Sequence, residues 1–414
     1  MDKQAIWNDI TTIQEDLINM CCDMIKIPSE NPPGNVESII TYITDYMDKC
    51  GIEYEVIRAT PECPNIIARY GNPNGKRLVF NGHCDVVPAG DLSKWNFPPY
   101  CGEVRNGKIL GRGTSDMKCG LGASLFAMGY YASHKIPLNG EIILTVVPDE
   151  ESGGFYGTQW LFEHGYIKGD WAVVAEPTGY DNIEIGQRGS MKTIVTVKGT
   201  PAHGSLAPYV GDSAIEKLME ILPKFKKLRE LHGELDEEMA KVMEVSKQQL
   251  RACHDVEGIE NSMDHVSVNF GVIEGGLKSN VIADSAKAEL DIRIPLGMTG
   301  DIVKEKIAEI IKESGLKEIE VTYMGADRGN YVSTEDPICK SVAANAKKLL
   351  GIDLIMAYQW ASSDARYFRE NGISTIQYGP SDSVGIHGYN ETVSVSNVIS
   401  SAKMYAGLIA DLVG

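Results

Sequence analysis

The sequence lacks the features that mark membrane, secreted and nucleic-acid-binding chains. No apolar run is long enough to span a bilayer, and the first ten residues carry Asp2 and Asp9 where a signal peptide would need an apolar core. Basic residues are scarce: 39 Lys and Arg stand against 57 Asp and Glu, a formal net charge of −18. So negative a surface disfavours phosphate backbones and anionic lipids. We therefore expect no nucleic-acid partner and no membrane partner.

Paired cysteines are also missing. The nine cysteines are scattered, and no Cys-x-x-Cys pair occurs among them, which argues against a cysteine zinc site. An odd number of scattered thiols is typical of a reduced compartment, so the sequence predicts a cytoplasmic protein. A chain of 414 residues with 43% hydrophobic and 23% charged residues has ordinary globular composition and predicts two domains.

Short apolar runs that end abruptly in polar residues dominate the first part of the chain. Residues 77–81, 141–147 and 171–175 have this form, which is typical of buried strands in a largely parallel sheet. Helical apolar spacing predicts helices over 5–27, 36–50 and 121–134. In open α/β sheets, ligands bind at the carboxyl ends of the strands, so the polar residues there are the first candidates for a functional site.

The pattern changes at about Gly186. Alternating strands and helical stretches follow in the order β-α-β-β-α-β, which is typical of a split βαβ (ferredoxin-like) domain. A polar, partly helical stretch over 232–261 looks like an insertion within it. The sequence thus predicts an α/β fold: a larger mixed-sheet domain over 1–185 and 329–414, with an inserted βαββαβ domain over 186–328.

Imidazole and carboxylate groups gather at the predicted strand ends and loops. Two histidines with three carboxylates form a ligand set suited to zinc, cobalt or manganese. A carboxylate can bridge two ions, and a further carboxylate beside the ligands can act as general base on a bridging water. An aspartate two residues after a histidine can orient its imidazole. The candidates are His83, Asp85, Asp116, Glu150, Glu151, Glu176 and His387.

The motifs around these residues resemble those of the zinc aminoacylase and carboxypeptidase superfamily, which includes acetylornithine deacetylase and succinyl-diaminopimelate desuccinylase. The similarity runs in order through nearly the whole chain. The matching stretches are Phe80–Pro88, Gly111–Lys118, Pro148–Gly153, Ala175–Thr178, Gly199–Gly204, and Gly379-Pro380 with His387.

The resemblance implies that the larger domain, 1–185 and 329–414, is the metal-binding catalytic domain of a metallohydrolase and that the inserted domain, 186–328, is a lid. It also implies a role for each candidate in a site with two divalent ions. Asp116 bridges them. His83 and Glu176 bind one ion, whereas Glu151 and His387 bind the other. The remaining roles fall to Glu150 as general base and then acid, and to Asp85, which orients His83. A cis peptide between Asp116 and Met117 is also implied.

The resemblance extends to residues outside the metal set. His203 resembles the family histidine that reaches the oxyanion of the scissile carbonyl, and in family dimers the partner subunit supplies it. Asn280 and Arg293 match lid positions associated with the substrate's carboxylate, and Gly379 lies in a motif assigned to substrate binding. The resemblance therefore implies a homodimer formed through the lid domain.

These observations predict a metal-dependent deacylase acting on an N-acyl amino acid, with two divalent ions, zinc first and cobalt or manganese as alternatives. A dipeptidase or carboxypeptidase with the same metal site remains open. By resemblance, glutamate at position 176 favours the deacylase and glutamate-carboxypeptidase groups. A binding protein that kept this fold but lost catalysis is a more distant alternative, since every expected ligand and Glu150 are present.

Overall fold

The computed structural model describes residues 1–326, 328–382 and 385–414. The chain forms two compact units. Unit 1 contains Met1–Ile185, Tyr331–Ala357 and Ser363–Gly414, and unit 2 contains Gly186–Asn330 and Tyr358–Ser362. The sequence pattern put the inserted domain at 186–328 and gave no sign that 358–362 would join it. The backbone N–H of Tyr358, which donates to Ser246 Oγ at 2.7 Å, ties that short segment to unit 2.

The regular elements follow the predicted alternation of helices and strands. The helices are α1 (Lys3–Thr12), α2 (Gln14–Lys26), α3 (Glu37–Cys50), α4 (Lys118–Ser133), α5 (Thr158–Glu163), α6 (Ala214–Ile221), α7 (Glu237–Cys253), α8 (Asn261–Asp264), α9 (Gly300–Ser314), α10 (Pro337–Leu350), α11 (Ala365–Glu370) and α12 (Val395–Leu412). The strands are β1 (Glu53–Thr60), β2 (Cys63–Gly71), β3 (Arg77–His83), β4 (Glu103–Arg105), β5 (Lys108–Leu110), β6 (Glu141–Val147), β7 (Trp171–Val174), β8 (Asn182–Gln187), β9 (Gly189–Lys198), β10 (Ser267–Gly275), β11 (Ser285–Ile294), β12 (Ile319–Ala326), β13 (Asn330–Tyr331), β14 (Ile355–Gln359), β15 (Ser374–Gln377) and β16 (Thr392–Ser394).

The main sheet is mixed. Its order is β1-β2-β6-β3-β7-β15-β8-β13, and β14 also pairs with β8. The four central strands β6, β3, β7 and β15 run parallel, whereas β1, β2 and β8 pair antiparallel. Since the four central strands point the same way, the residues that follow them collect at one edge of the sheet.

Helix α4 lies against this sheet and is buried on all sides. Its residues from Lys118 to Ala132 are buried, and it packs against α2, α12 and β3. Small side chains make this possible, because glycine, alanine and serine let neighbouring backbones approach closely. The helix begins directly after Met117 and therefore fixes the loop that carries Asp116.

The first predicted helix is interrupted. Residues 5–27 have continuous helical spacing, but the structure ends α1 at Thr12 and begins α2 at Gln14. The hydroxyls of Thr11 and Thr12 donate to the carbonyls of Trp7 and Asn8, four residues earlier. Such back-bonding bends a helix, which the apolar spacing alone does not reveal. By contrast, α3 ends as predicted, with Gly51 left-handed at φ +70°.

Unit 2 has the predicted βαββαβ order. Its antiparallel sheet is β10-β11-β9-β12, with α6 after β9 and α9 after β11. The core packs apolar residues of the strands against both helices. Helix α7 lies within the predicted insertion at 232–261, and α8 begins at its last residue, Asn261. The α/β fold class with an inserted ferredoxin-like unit is confirmed. Within the described ranges, no helix combines the length and hydropathy needed to cross a membrane.

Candidate metal centre

The parallel strands of unit 1 deliver four of the candidate residues to one sheet edge. His83 is the last residue of β3, and Glu150 and Glu151 follow β6, which pairs with β3. Glu176 follows β7, the neighbour of β3 on its other side. The expectation that these side chains converge at the carboxyl ends of the strands is therefore met.

Asp116 stands between two imidazoles. Its Oδ1 lies 3.0 Å from Nε2 of His83, and its Oδ2 lies 3.0 Å from Nε2 of His387. The same His387 nitrogen lies 3.2 Å from Oε2 of Glu151. One carboxylate thus presents each of its oxygens to a different histidine, which is the arrangement that a bridge between two ions requires.

Two overlapping groups of ligand atoms surround His83. In one, His83 lies with Glu150 and Glu176; in the other, it lies with Asp116 and Glu151. Within each group the ligand atoms are all within 4.8 Å of one another. His83 is 1% exposed and Glu176 5% exposed, whereas the side chain of His387 is 53% exposed. The centre is therefore closed toward the sheet and open on the His387 side.

Burial and close charges shift the acid–base properties of this cluster. Burial raises the pKa of Glu150 and Glu176 well above the usual range, and the neighbouring carboxylates add to that effect. Burial alone would lower the pKa of His83, but its hydrogen bonds to Asp116 and Asp85 outweigh burial and raise it. Hydrogen bonds to Asp116 and Glu151 raise the pKa of His387 to about 10.

The donor set fits divalent ions. It combines imidazole nitrogens with carboxylate oxygens, the ligands that zinc and similar ions take in proteins. Glu151 Oε1 is buried, and no described residue provides it with a hydrogen-bond partner. A buried carboxylate oxygen in that state is stabilised by a cation. Repulsion between neighbouring carboxylates, which adds to the raised pKa of Glu150 and Glu176, would also be relieved by bound cations.

Asp85 contacts His83 most closely through its backbone carbonyl. The carbonyl oxygen of Asp85 lies 2.9 Å from Nδ1 of His83, whereas its carboxylate Oδ1 lies 3.4 Å away. Asn31 Nδ2 and the backbone N–H of Glu151 donate to the other carboxylate oxygen at 2.9 and 3.3 Å. The Asp85 carboxylate, which was expected to orient the His83 imidazole, therefore lies between that imidazole and the loop that carries Glu151.

Gly379 has a packing reason to be glycine. A Cβ at this position would lie 2.4 Å from the carbonyl oxygen of Ala175 and 2.6 Å from that of Glu176. The residue therefore lets the segment after β15 approach the backbone that carries Glu176.

Two of the three unit 2 candidates lie together. The backbone of His203 bridges to Val281, and the N–H of Gly204 donates to the carbonyl of Asn280 at 2.8 Å. His203 is exposed, and its Nδ1 lies 2.7 Å from Ser205 Oγ. Arg293 lies near the end of β11, paired through its Nε with Asp291 at 3.1 Å.

The sequence pattern left the segment from Ser363 to Arg366 without a role. In the structure, Arg366 Nη2 and the hydroxyl of Tyr367 donate to the carbonyl of Gly153 at 2.8 and 2.9 Å. Both hydrogen bonds hold the turn that directly follows Glu151.

The predicted cis peptide between Asp116 and Met117 is present and is therefore confirmed.

The chain is similar in sequence to proteins named succinyl-diaminopimelate desuccinylase. The succinyl-diaminopimelate desuccinylase of Wolbachia pipientis is 30% identical over 403 residues, covering 95% of this chain and 92% of that protein. A probable succinyl-diaminopimelate desuccinylase of Staphylococcus epidermidis is 27% identical over 401 residues, with 95% and 96% covered.

Solved structures share the fold at lower identity. An M20 family metallo-carboxypeptidase of Sulfolobus solfataricus aligns with a TM-score of 0.80 at 20% identity, covering 96% of this chain and 99% of that one. Human carnosine dipeptidase 1 aligns with a TM-score of 0.76 at 18% identity, covering 100% of this chain and 99% of that one. A dinuclear metal-binding M20 peptidase of Bacillus subtilis aligns with a TM-score of 0.65 at 14% identity, covering 97% of this chain and 99% of that one.

Fold, candidate centre and relatives together define a metal amidohydrolase. The model of peptidase family M20/M25/M40 matches residues 79–411. The chain belongs to that family.

Proposed function

We propose that this protein hydrolyses the amide bond of an N-acyl amino acid at a centre of two divalent ions. The observation that carries the proposal is Asp116, whose two oxygens each lie 3.0 Å from a different imidazole. Asp116 would supply one oxygen to each ion, His83 and Glu176 would hold one ion, and Glu151 and His387 would hold the other. The N/O ligand set supports zinc, with cobalt or manganese as alternatives.

Glu150 is the proposed proton carrier. It lies with His83 and Glu176 in the same group of ligand atoms, and its backbone begins a short turn over Glu150–Ser152. Two bound ions would lower the pKa of a water between them and polarise the substrate carbonyl. Glu150 would accept that water's proton while the water oxygen bonds to the carbonyl carbon. It would then pass the proton to the amine nitrogen as the C–N bond breaks.

The proposed substrate contacts lie in unit 2. Arg293 carries a planar guanidinium that can hold a carboxylate with two parallel hydrogen bonds. Asn280 lies beside His203 and offers amide donors. The free nitrogen of His203 would donate to the carbonyl oxygen as negative charge develops there, which is the role of an oxyanion-hole donor.

A homodimer formed through unit 2 is part of the proposal. Strand β10 is an edge of its sheet, and Val272 and Ile273 on it are exposed. A cavity of about 820 Å³ lies beside it, lined partly by apolar side chains that include Ile215, Met219 and Leu277. A second copy pairing along this edge would cover both features and give a two-fold assembly. The same pairing would present His203 to the partner's metal centre.

Two observations bear on the choice between deacylase and peptidase. Relatives at 27–30% identity are named desuccinylases, which supports the deacylase. The structural neighbours, at 18–20% identity, include a carboxypeptidase and a dipeptidase, so a peptidase with the same centre is the second candidate.

The nine free thiols support a reduced compartment, and we propose the cytoplasm.

A substrate panel tests the proposal. Metal-loaded protein is assayed with N-acetyl and N-succinyl amino acids and with dipeptides, and chelated protein is the control. We expect the highest kcat/KM on an N-acyl amino acid and loss of hydrolysis on chelation. Faster turnover of the dipeptides would favour the peptidase, and hydrolysis that survives chelation would contradict the metal centre.

A further inference from the structure

A buried ion pair lies behind the two loops that carry Asp116 and His387. Arg112 Nη1 lies 2.6 Å from Glu391 Oε2, and the two side chains are 3% and 0% exposed. Neither residue belongs to the proposed ligand set. An ion pair this deeply buried needs further hydrogen bonds to offset the cost of removing its charges from water. Those further hydrogen bonds show which parts of the backbone the pair holds in place.

The carboxylate of Glu391 holds the backbone that leads into Asp116. Its Oε1 accepts from the N–H of Ser115 at 2.8 Å and from the N–H of Asp116 at 3.2 Å. Its Oε2 accepts from the N–H of Gly113 at 3.2 Å. Three backbone donors of one loop thus converge on a single carboxylate, which fixes the loop in one conformation.

The guanidinium of Arg112 holds the other loop. Its Nη2 donates to the carbonyl of Gly388 at 2.8 Å, one residue after His387. The face of the guanidinium lies over the ring of Trp95, 5.3 Å from its centroid. The backbone also contributes, because the N–H of Gly111 donates to the carbonyl of Glu391 at 3.0 Å.

The ligands on the opposite side of the centre are placed differently. His83 ends β3 and Glu176 follows β7, so the pairing of two parallel strands sets their spacing. His387 lies in a loop with a left-handed backbone at φ +57°, outside any strand or helix. Its position relative to Asp116 therefore depends on side-chain contacts rather than on the sheet.

We infer that Arg112 and Glu391 are positioning residues that set the spacing of Asp116 and His387, and so the affinity for the ion bound between His387, Asp116 and Glu151. This inference rests on the proposed two-ion centre. Groups that hydrogen-bond to the segments carrying metal ligands orient those ligands, and losing such a group weakens binding by about 10–100-fold. Asp116 serves both proposed ions, but His387 serves only one, and the sheet fixes His83 and Glu176. The loss of affinity should therefore be larger for the ion held by His387.

Stepwise metal titration of the full chain tests the inference. Chelator-stripped wild type and Glu391→Gln are titrated with Zn²⁺ against a competing chromophoric chelator, and Co²⁺ absorption reports the coordination of each ion. We expect Glu391→Gln to bind its weaker ion about 10–100-fold less tightly and its tighter ion within about threefold of wild type. Arg112→Lys keeps the positive charge but cannot reach both loops, and should show the same selective loss if Glu391→Gln fails to fold.

Glu141→Gln is the matched control. Glu141 is also buried, and its carboxylate pairs with Arg77 Nε at 2.9 Å on strands of the same sheet, away from the ligands. The Glu141→Gln variant should have lower thermal stability, with the affinities for both ions unchanged. If Glu391→Gln and Arg112→Lys change neither affinity, or weaken both ions equally, the pair has no positioning role. If wild type itself binds a single ion, the two-ion proposal fails first, and the titration shows this before any variant is compared.

Discussion

The backbone of Gly120 in α4 lies directly against the carbonyl oxygen of Ala175. A Cβ at Gly120 would be 2.2 Å from that oxygen, closer than any side chain tolerates. Ala175 precedes Glu176, so the helix that begins beside Asp116 and the strand end that carries Glu176 share this contact. A glycine in α4 thereby sets the distance between the backbones of two proposed ligands.

Replacing Gly120 should therefore damage both stability and metal binding. Gly120→Ala must push α4 away from the strand end, and overpacking of this kind costs about 1–3 kcal/mol. Gly122→Ala is the control, because its Cβ would meet the side-chain sulfur atoms of Cys21 and Met24 at 3.0 and 3.4 Å. Calorimetry should show a lower unfolding temperature, and metal analysis less bound metal, for Gly120→Ala but not for Gly122→Ala. Equal behaviour of the two variants would contradict this account.

Glu150→Gln should separate proton transfer from metal binding. The amide keeps the shape of the side chain but cannot accept the proton of the attacking water. We expect kcat to fall by about 10²-fold or more while both ions remain bound. Because Glu150 groups with His83 and Glu176, loss of an ion in this variant would show that it is a ligand instead.

Metal binding should release protons. Without metal, hydrogen bonds to Asp116 and Glu151 raise the pKa of His387 to about 10, and hydrogen bonds to Asp116 and Asp85 raise the pKa of His83, which favours the protonated imidazoles. An imidazole must lose its proton to bind an ion, so affinity should rise with pH, roughly tenfold per unit for each proton released.

Calorimetric titration in buffers of different ionisation enthalpy measures the number of protons released. We expect about one to two protons near pH 7, and about one fewer for His387→Ala. A metal affinity that does not change between about pH 6 and about pH 8 would contradict the prediction.

Subunit mixing tests whether His203 acts on the partner's centre. His203→Ala should lose activity but keep its metal, and Glu150→Ala should also be inactive. Equal amounts exchanged at random give half heterodimers, each with one intact site, so activity should recover to about a quarter of wild type. No recovery, with subunit exchange shown by native mass spectrometry, would mean that His203 does not act across an interface.

The sequence predicts the strand-borne part of the candidate centre because strand ends can be read from it. His83, Glu151 and Glu176 each follow a short apolar run, and parallel pairing brings such ends together. The partners of Glu391 could not be foreseen, because its hydrogen bonds join residues about 275 positions apart in the chain. The break after Thr12 depends on hydroxyl rotamers, and the packing role of Gly379 depends on how closely two backbones approach.

Unit 2 begins and ends at neighbouring positions. Ser190 at the start of β9 pairs with Ala326 at the end of β12. Cα atoms paired in this way lie about 4.5–5.5 Å apart, a gap that one or two residues can close. Apart from Tyr358–Ser362, the insertion is therefore a module that a gene could gain, lose or exchange at a single locus without stretching the chain around it. The ends of β3, β6 and β7 would keep their order through such an exchange, so the proposed metal centre and the proposed substrate contacts could evolve as separately inherited parts.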